Sequence, residues 1–144
     1  MKKLNIQTDN RLIDTSVVSY LFKKHSLAED YRPLLKGKLL YLSFMTIAEL
    51  YHWAIRRTWG EKKINQLQET IQDYVVLPSD NEMCWQWAKI NSIKGKPMSV
   101  GDAWIAATAL HYKMPLITHN LKHFEHLKEL GLNIITVQNK FDKS

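Results

Sequence analysis

The 144-residue chain has little of several residue types, and each shortage excludes a class of protein. Its single cysteine, Cys84, cannot form an intrachain disulfide or a cysteine-based zinc cluster, so a reducing cytoplasm is expected. The longest apolar stretch, residues 103–110, is far shorter than the roughly 20 residues that span a bilayer, and no membrane helix is expected. The first ten residues lack the apolar centre of a secretion signal.

The composition that remains is that of a globular domain, with 45% hydrophobic and 24% charged residues. The length suits one domain, with residues 1–10 as an N-terminal arm and residues 138–144 as a flexible tail. Lysine and arginine number 20 against 14 acidic residues, which gives a formal charge of +6. Such a balance favours a polyanionic partner such as nucleic acid, although many small basic domains have none.

Strand-like and helix-like segments alternate along the chain. The strand-like segments are residues 11–14, 39–43, 74–78, 115–119 and 133–137. Helical spacing of apolar residues covers residues 27–36, 46–59, 64–74, 83–90, 100–112 and 121–130. This alternation predicts a three-layer α/β/α sandwich with a central parallel sheet of about five strands.

Three acidic residues stand where a strand gives way to a helix or in the first turns of a helix. Asp14 follows the first strand, Glu49 lies early in the helix after the second strand, and Asp102 begins the most apolar helix. Each has a structural alternative, because Asp14 suits a helix start and the pairs Thr46/Glu49 and Ser99/Asp102 resemble capping boxes. Helix starts that follow parallel strands share one edge of the sheet, so acids that are distant along the chain can converge there. Asp102 is preceded by a helix and a loop, so its place at that edge is an inference.

Convergence of carboxylates has a chemical consequence. Like charges raise one another's pKa and destabilise the fold unless a positive group lies among them. Ligands that are all oxygen select a hard cation such as Mg²⁺ or Mn²⁺. Such a cation supports hydrolysis of phosphodiesters, which agrees with the basic surface.

Four stretches carry a resemblance to a known family: "LIDTS", "SFMTIAEL", "GDAWIAATAL" and "PLITHNLKHF". In this order they resemble the motifs of PIN-domain ribonucleases, and most closely those of the VapC-type toxins of toxin–antitoxin pairs. The resemblance runs over roughly residues 12–137. It implies a PIN-like fold, RNA as substrate, Mg²⁺ or Mn²⁺ as cofactor, a small antitoxin protein as partner, and a homodimer.

The resemblance also implies a site. The family's metal-binding acids fall on Asp14, Glu49 and Asp102, and its fourth position, often aspartate, falls on Asn120. An asparagine offers a carbonyl oxygen but no charge, so weaker cation binding is expected, and Asn120 also suits a turn. A further family acid is here His123.

Two hydroxyl groups and several basic residues complete the predicted site. Ser16 and Thr118 match family positions near the first acid and near a metal-bound water. Candidates for phosphate contacts are Arg56, Arg57, Lys62, Lys63, Lys94, Lys96 and Lys122, although a solvated charged face explains each of them equally well.

Two other functions compete with the nuclease. A PIN-like module with a weakened acidic site could bind RNA or protein without cutting. In a phosphoacceptor receiver domain Asp14 would be phosphorylated, but receivers carry their acceptor after the third strand, and here that strand runs into Pro78 before Asp80.

Overall fold

A computed structural model describes residues 9–138. In chain order the elements are β1 (Asn10–Ile13), α1 (Thr15–Phe22), α2 (Ala28–Leu35), β2 (Leu39–Ser43), α3 (Phe44–Arg56), α4 (Glu61–Ile71), β3 (Val75–Leu77), α5 (Asn81–Asn91), α6 (Val100–Tyr112), β4 (Leu116–Ile117), α7 (Leu121–Phe124), a 3₁₀ helix (Glu125–Leu130) and β5 (Ile134–Ile135). The strands form one parallel sheet in the order β3-β2-β1-β4-β5. The predicted fold class is confirmed.

Helices cover both faces of the sheet because consecutive strand residues point to opposite sides. Leu12 and Leu116 belong to the apolar core beneath α5 and α6, whereas Ile13 and Ile117 belong to the core beneath α1 to α4. All four side chains are fully buried. Strands buried on both faces explain why the strand segments read as continuous apolar runs.

Several predicted boundaries shift for local reasons. Helix α3 begins at Phe44 instead of residue 46, because the Ser43 hydroxyl accepts the Met45 N–H at 3.2 Å and caps the helix earlier. The predicted helix over residues 121–130 divides into α7 and the 3₁₀ helix, which ends at Gly131 in the left-handed region (φ 96°).

Both predicted terminal segments reach into the folded domain by one residue. Asn10 pairs with Leu39 in the sheet, and Gln138 is buried with its side-chain oxygen accepting the Leu121 N–H at 2.9 Å. The rest of the predicted arm and tail, apart from Asp9, lies outside the described residues. Within residues 9–138, no helix has the length and apolarity needed to cross a membrane.

The strand order creates a switch point between β1 and β4. The chain builds the sheet outward on one side, from β1 through β2 to β3, and then returns to add β4 and β5 on the other side. Ligands of open parallel sheets bind beyond the carboxyl ends of the strands at such a point. The register places Ile13 beside Ile117, so the residues that follow these strands are neighbours.

Candidate active site

Asp14 lies at the switch point, where β1 passes directly into α1. Its side chain is almost fully buried, at 2% exposed. One carboxylate oxygen accepts the Thr15 N–H at 2.9 Å, which caps α1. The other accepts the hydroxyls of Ser16 at 2.9 Å and Thr118 at 2.7 Å. The helix-start role of Asp14 is therefore real, but its second oxygen serves a network that reaches across the sheet.

Thr118 and Asn120 enter the site from β4. The Thr118 hydroxyl, fully buried, accepts the Asn120 N–H at 3.0 Å while it donates to Asp14. Asn120 has φ −110°, outside the left-handed region, and its side chain makes no capping bond to α7. The backbone conformation and the missing cap weaken its explanation as a turn residue, and its N–H ties it to the Asp14 network.

Glu49 reaches the same edge from the second turn of α3. The Thr15 hydroxyl donates to the Glu49 carboxylate at 2.7 Å and lies 3.0 Å from the Thr46 hydroxyl. Because Ser43 caps the helix, Thr46 lies inside it and does not form a capping box with Glu49. The structural alternative for Glu49 is therefore wrong.

Asp102 occupies the first turn of α6. Its N–H donates to the Ser99 hydroxyl at 3.1 Å, so half of the predicted capping box forms. Its carboxylate does not close the box: one oxygen lies 3.0 Å from the Nδ1 atom of His123. The preceding residue, Gly101, packs directly on Glu49, since a Cβ built there would lie 2.6 Å from a Glu49 carboxylate oxygen.

The three carboxylates influence one another electrostatically. The pKa of Asp14 is raised to about 6, first by burial and then by the charges of Asp102 and Glu49, against the lowering effect of the Thr118 and Ser16 hydroxyls. Burial also raises the pKa of Glu49, which the Thr15 hydroxyl opposes and Asp102 reinforces. Acids from three distant parts of the chain thus share one electrostatic environment.

The oxygen atoms at this edge are of the kind that binds a hard cation, although their side chains are not arranged around a common point. No three His, Cys, Asp or Glu side chains within residues 9–138 are grouped as metal ligands. The donors near Asp14 are the carboxylate oxygens of Glu49 and Asp102, and Asn120 is joined to the same network through its backbone N–H. Carboxylate oxygens favour Mg²⁺ or Mn²⁺, and a cation would stabilise the ionised form of Asp14, whose pKa is raised first by burial and then by the neighbouring charges.

The predicted phosphate contacts separate into two groups. Lys96 and Lys122 line a cavity that also includes Asp102, whereas Lys94, on the same loop as Lys96, does not line it. Arg56 lies at the far end of α3, about 10 Å along the helix from Glu49 at 1.5 Å per residue.

The other basic candidates also lie away from the acids. Arg57 follows α3, and Lys62 and Lys63 stand in the first turn of α4. The Lys63 amino group lies 4.2 Å from the centre of the Trp59 ring, a cation–π contact. This second group is exposed, and within residues 9–138 its side chains form no hydrogen bond or ion pair with Asp14, Glu49 or Asp102.

Two residues at the site escaped the sequence analysis. Thr15 joins α1 to Glu49 through its hydroxyl group. The sequence feature that could have identified it is its position directly after the first acid. Gly101 makes room for Glu49, and its signal was a residue without a side chain directly before the third acid.

Comparisons with known proteins agree with this geometry. The PIN domain family matches residues 11–130. Ribonuclease VapC1 of Methanocaldococcus jannaschii is 35% identical over 136 residues, covering 92% of each chain. Ribonuclease VapC1 of Haemophilus influenzae (strain R2866) is 32% identical over 124 residues, covering 83% of this chain and 92% of the relative.

A solved structure, VapBC-1 from nontypeable Haemophilus influenzae, has a chain that superposes with a TM-score of 0.73 at 30% identity. The match covers 88% of this chain and 97% of that one. The motifs, the strand order and the acidic edge thus agree with the family match: this chain belongs to the PIN-domain family.

Proposed function

We propose that the protein is a divalent-metal-dependent endoribonuclease, the toxin of a VapBC-type toxin–antitoxin pair. One observation supports the proposal: the charges of Glu49 and Asp102 both act on the buried carboxylate of Asp14 at the switch point. The names of the ribonuclease relatives supply the reaction, and the formal charge of +6 suits an RNA substrate.

The chain's own residues prepare this edge for a cation. Thr118 and Ser16 donate to Asp14 and so favour its ionised form, which is the form that binds metal. Thr15 orients Glu49, and Gly101 leaves space for its carboxylate. These contacts hold two acids in place before any substrate arrives.

The residues that would hold the ion are Asp14, Glu49 and Asp102, with the Asn120 side-chain oxygen assisting. A bound Mg²⁺ or Mn²⁺ would lower the pKa of a water molecule and stabilise negative charge on a phosphoryl oxygen. Because Asn120 carries no charge, the site has one negative charge fewer than a fourth acid would give.

A cleavage assay tests the proposal. Purified protein should cut single-stranded RNA with Mg²⁺ or Mn²⁺ and stop in EDTA, and Asp102→Asn should lose at least about 100-fold in rate. Asp73→Asn is the matched control, because Asp73 is an exposed acid in the turn between α4 and β3. Equal cleavage by Asp102→Asn and wild type would reject the assignment.

A second candidate function is a PIN-like module that binds RNA or protein without cutting it. The neutral Asn120 at the acidic edge is the observation that favours it. Calorimetric titration with Mn²⁺ separates the two functions. Saturable Mn²⁺ binding that disappears in Asp14→Asn supports the nuclease. Absence of a heat of Mn²⁺ binding, together with RNA binding that is retained, supports the module.

The proposed partners are a small antitoxin and a second copy of the chain, in the cytoplasm. Exposed apolar side chains support a protein partner: Ile55 on α3, Trp85 on α5 and Val100 on α6 are 72%, 68% and 64% exposed. Light scattering after gel filtration tests the homodimer. A mass that stays at the 16.9 kDa of one chain at micromolar concentration contradicts it.

A further inference from the structure

A cavity of about 420 Å³ adjoins Asp102 on the open side of the acidic edge. Its walls come from the loop before α6, from the start of α6, and from α7 with the 3₁₀ helix that follows. Lys96 and Met98 face it from the loop, and Lys122, His123 and His126 from the opposite wall. Of the residues that line the cavity, only Asp102 has a role in the proposed nuclease site.

The size of the cavity limits what it can hold. Small-molecule sites begin at about 300 Å³, so this volume suits one nucleotide and not a base-paired segment. Met98, half-buried, and the ring of His126 provide the kind of surface against which a base packs. Lys96 and Lys122 are exposed amines on opposite walls, which suits a phosphate between them.

The polar groups of the cavity are incompletely paired. The Nε2 atom of His126 is buried and has no hydrogen-bond partner among the residues that the structure describes. The pKa of His126 is lowered by burial first and by the nearby charge of Lys96 second. Asp102 and Glu125 also line the cavity, so its charge balance turns positive when the Asp102 carboxylate is neutralised.

We infer that this cavity is a one-nucleotide subsite for single-stranded RNA, beside the bond that is cut. The phosphate lies between Lys96 and Lys122, and the base enters against Met98 and His126. The inference rests on the proposed function, because Asp102 is shared by the two sites. A base has to leave its stack to enter, so unpaired RNA is preferred over a duplex.

Binding measured without cleavage tests the subsite. All proteins carry Asp102→Asn, which removes the negative charge on the shared wall, and all measurements are made in EDTA. Fluorescence anisotropy follows a short labelled RNA, single-stranded or annealed to its complement, over a series of salt concentrations. The test variant adds Lys96→Ala and Lys122→Ala.

The matched control adds Lys89→Ala and Lys128→Ala, which removes the same charge from two exposed lysines outside the cavity. Circular dichroism checks that both variants fold. The test variant should lose about tenfold in affinity for the single strand. Its salt slope should fall by about 0.7, since the two lysines hold one phosphate and each single-strand phosphate contact contributes about 0.7. The control should stay within about twofold.

Three results would overturn the subsite: equal losses in the two variants, no loss in the test variant, or duplex RNA bound as tightly as the single strand. Failure of the nuclease proposal is separate, because it appears as absent metal-dependent cleavage by the wild-type protein. The binding measurement in EDTA does not depend on that outcome.

Discussion

Asp14 and Asp102 bring the same chemical group to one edge of the sheet, yet their surroundings differ sharply. Asp14 is 2% exposed and accepts three hydrogen bonds at 2.7 to 2.9 Å. The side chain of Asp102 is 19% exposed, and that of His123, whose Nδ1 atom lies 3.0 Å from the Asp102 carboxylate, is 55% exposed. We call the part of the site around Asp14 its buried half and the part around Asp102 its open half. The fold fixes the buried half, whereas the open half remains accessible to substrate. The two halves should therefore respond differently to mutation.

The largest expected effect concerns the buried charge of Asp14. Its pKa is raised from 3.8 to about 6 in the folded protein, so the folded state binds the extra proton between these values. In EDTA, the free energy of unfolding should therefore fall as pH rises from about 4 to about 6.5, by up to about 3 kcal/mol from this group. Asp14→Asn should lack this component.

Urea denaturation at a series of pH values measures it. The difference between the wild-type and Asp14→Asn curves isolates the one residue, because the other titrating groups are shared. Parallel curves across this pH range would show that burial of Asp14 carries no such cost.

The second prediction concerns the contact that joins the two halves, where Gly101 packs on Glu49. A Cβ at residue 101 would lie 2.6 Å from a Glu49 carboxylate oxygen, so Gly101→Ala should displace that side chain. Displacement of a catalytic group by about 1 Å costs about 100-fold in rate, whereas stability should fall by less than about 1 kcal/mol, because the atoms that must move are the end of a flexible side chain.

The control is Gly60→Ala, since a Cβ at Gly60 meets nothing within 4 Å. It should keep its cleavage rate and lose about 1 kcal/mol or less as a helix cap. Wild-type cleavage by Gly101→Ala would mean that Glu49 adjusts freely and that the two halves are not coupled through it.

The third prediction removes one hydroxyl from the buried half. Thr118→Val keeps the shape of the side chain but deletes the donor to Asp14 and the acceptor for the Asn120 N–H. Leaving buried groups unpaired should lower the free energy of unfolding by about 2 kcal/mol.

Thr70→Val is the comparison, because Thr70 is a half-buried helical residue whose hydroxyl donates to the Gln66 carbonyl of its own helix, and it should stay within about 0.5 kcal/mol of wild type. Both are measured by urea denaturation at neutral pH. Equal stability of the two variants would remove Thr118 from the network that holds Asp14.

The smallest effect is expected in the open half. The contact between His123 and Asp102 is largely exposed, and ion pairs of this kind contribute less than about 1 kcal/mol. His123→Gln should therefore change the free energy of unfolding by about 0.5 kcal/mol or less. A loss comparable to that of Thr118→Val would show that the two halves are built alike.

The sequence allowed most of the scaffold to be predicted because each element has its own period and its own boundaries. The five strands were predictable as apolar runs, and the three acids by their places at the end of the first strand or in the first two turns of a helix. The start of α3 was not predictable from the sequence, because Ser43 and Thr46 are both good helix caps. The residue at which β2 ends determines which of the two caps the helix.

Contacts across the sheet were less predictable for a different reason. The hydrogen bond from Thr15 to Glu49 depends on how α3 packs beside α1, which no local pattern encodes. The same applies to the basic residues, whose positions along the chain do not reveal that Lys96 and Lys122 share a cavity while Arg56 lies elsewhere. The order of the strands and the packing of the helices decide such contacts.

The bond between Thr118 and Asp14 joins residues 104 positions apart, and it forms only when β4 takes its place beside β1. A ribosome delivers β1 before β4, so a nascent chain that has not yet reached residue 118 lacks this hydroxyl. The hydrogen-bond network around Asp14 is therefore among the last parts of the sheet edge to form, after β4 has docked beside β1.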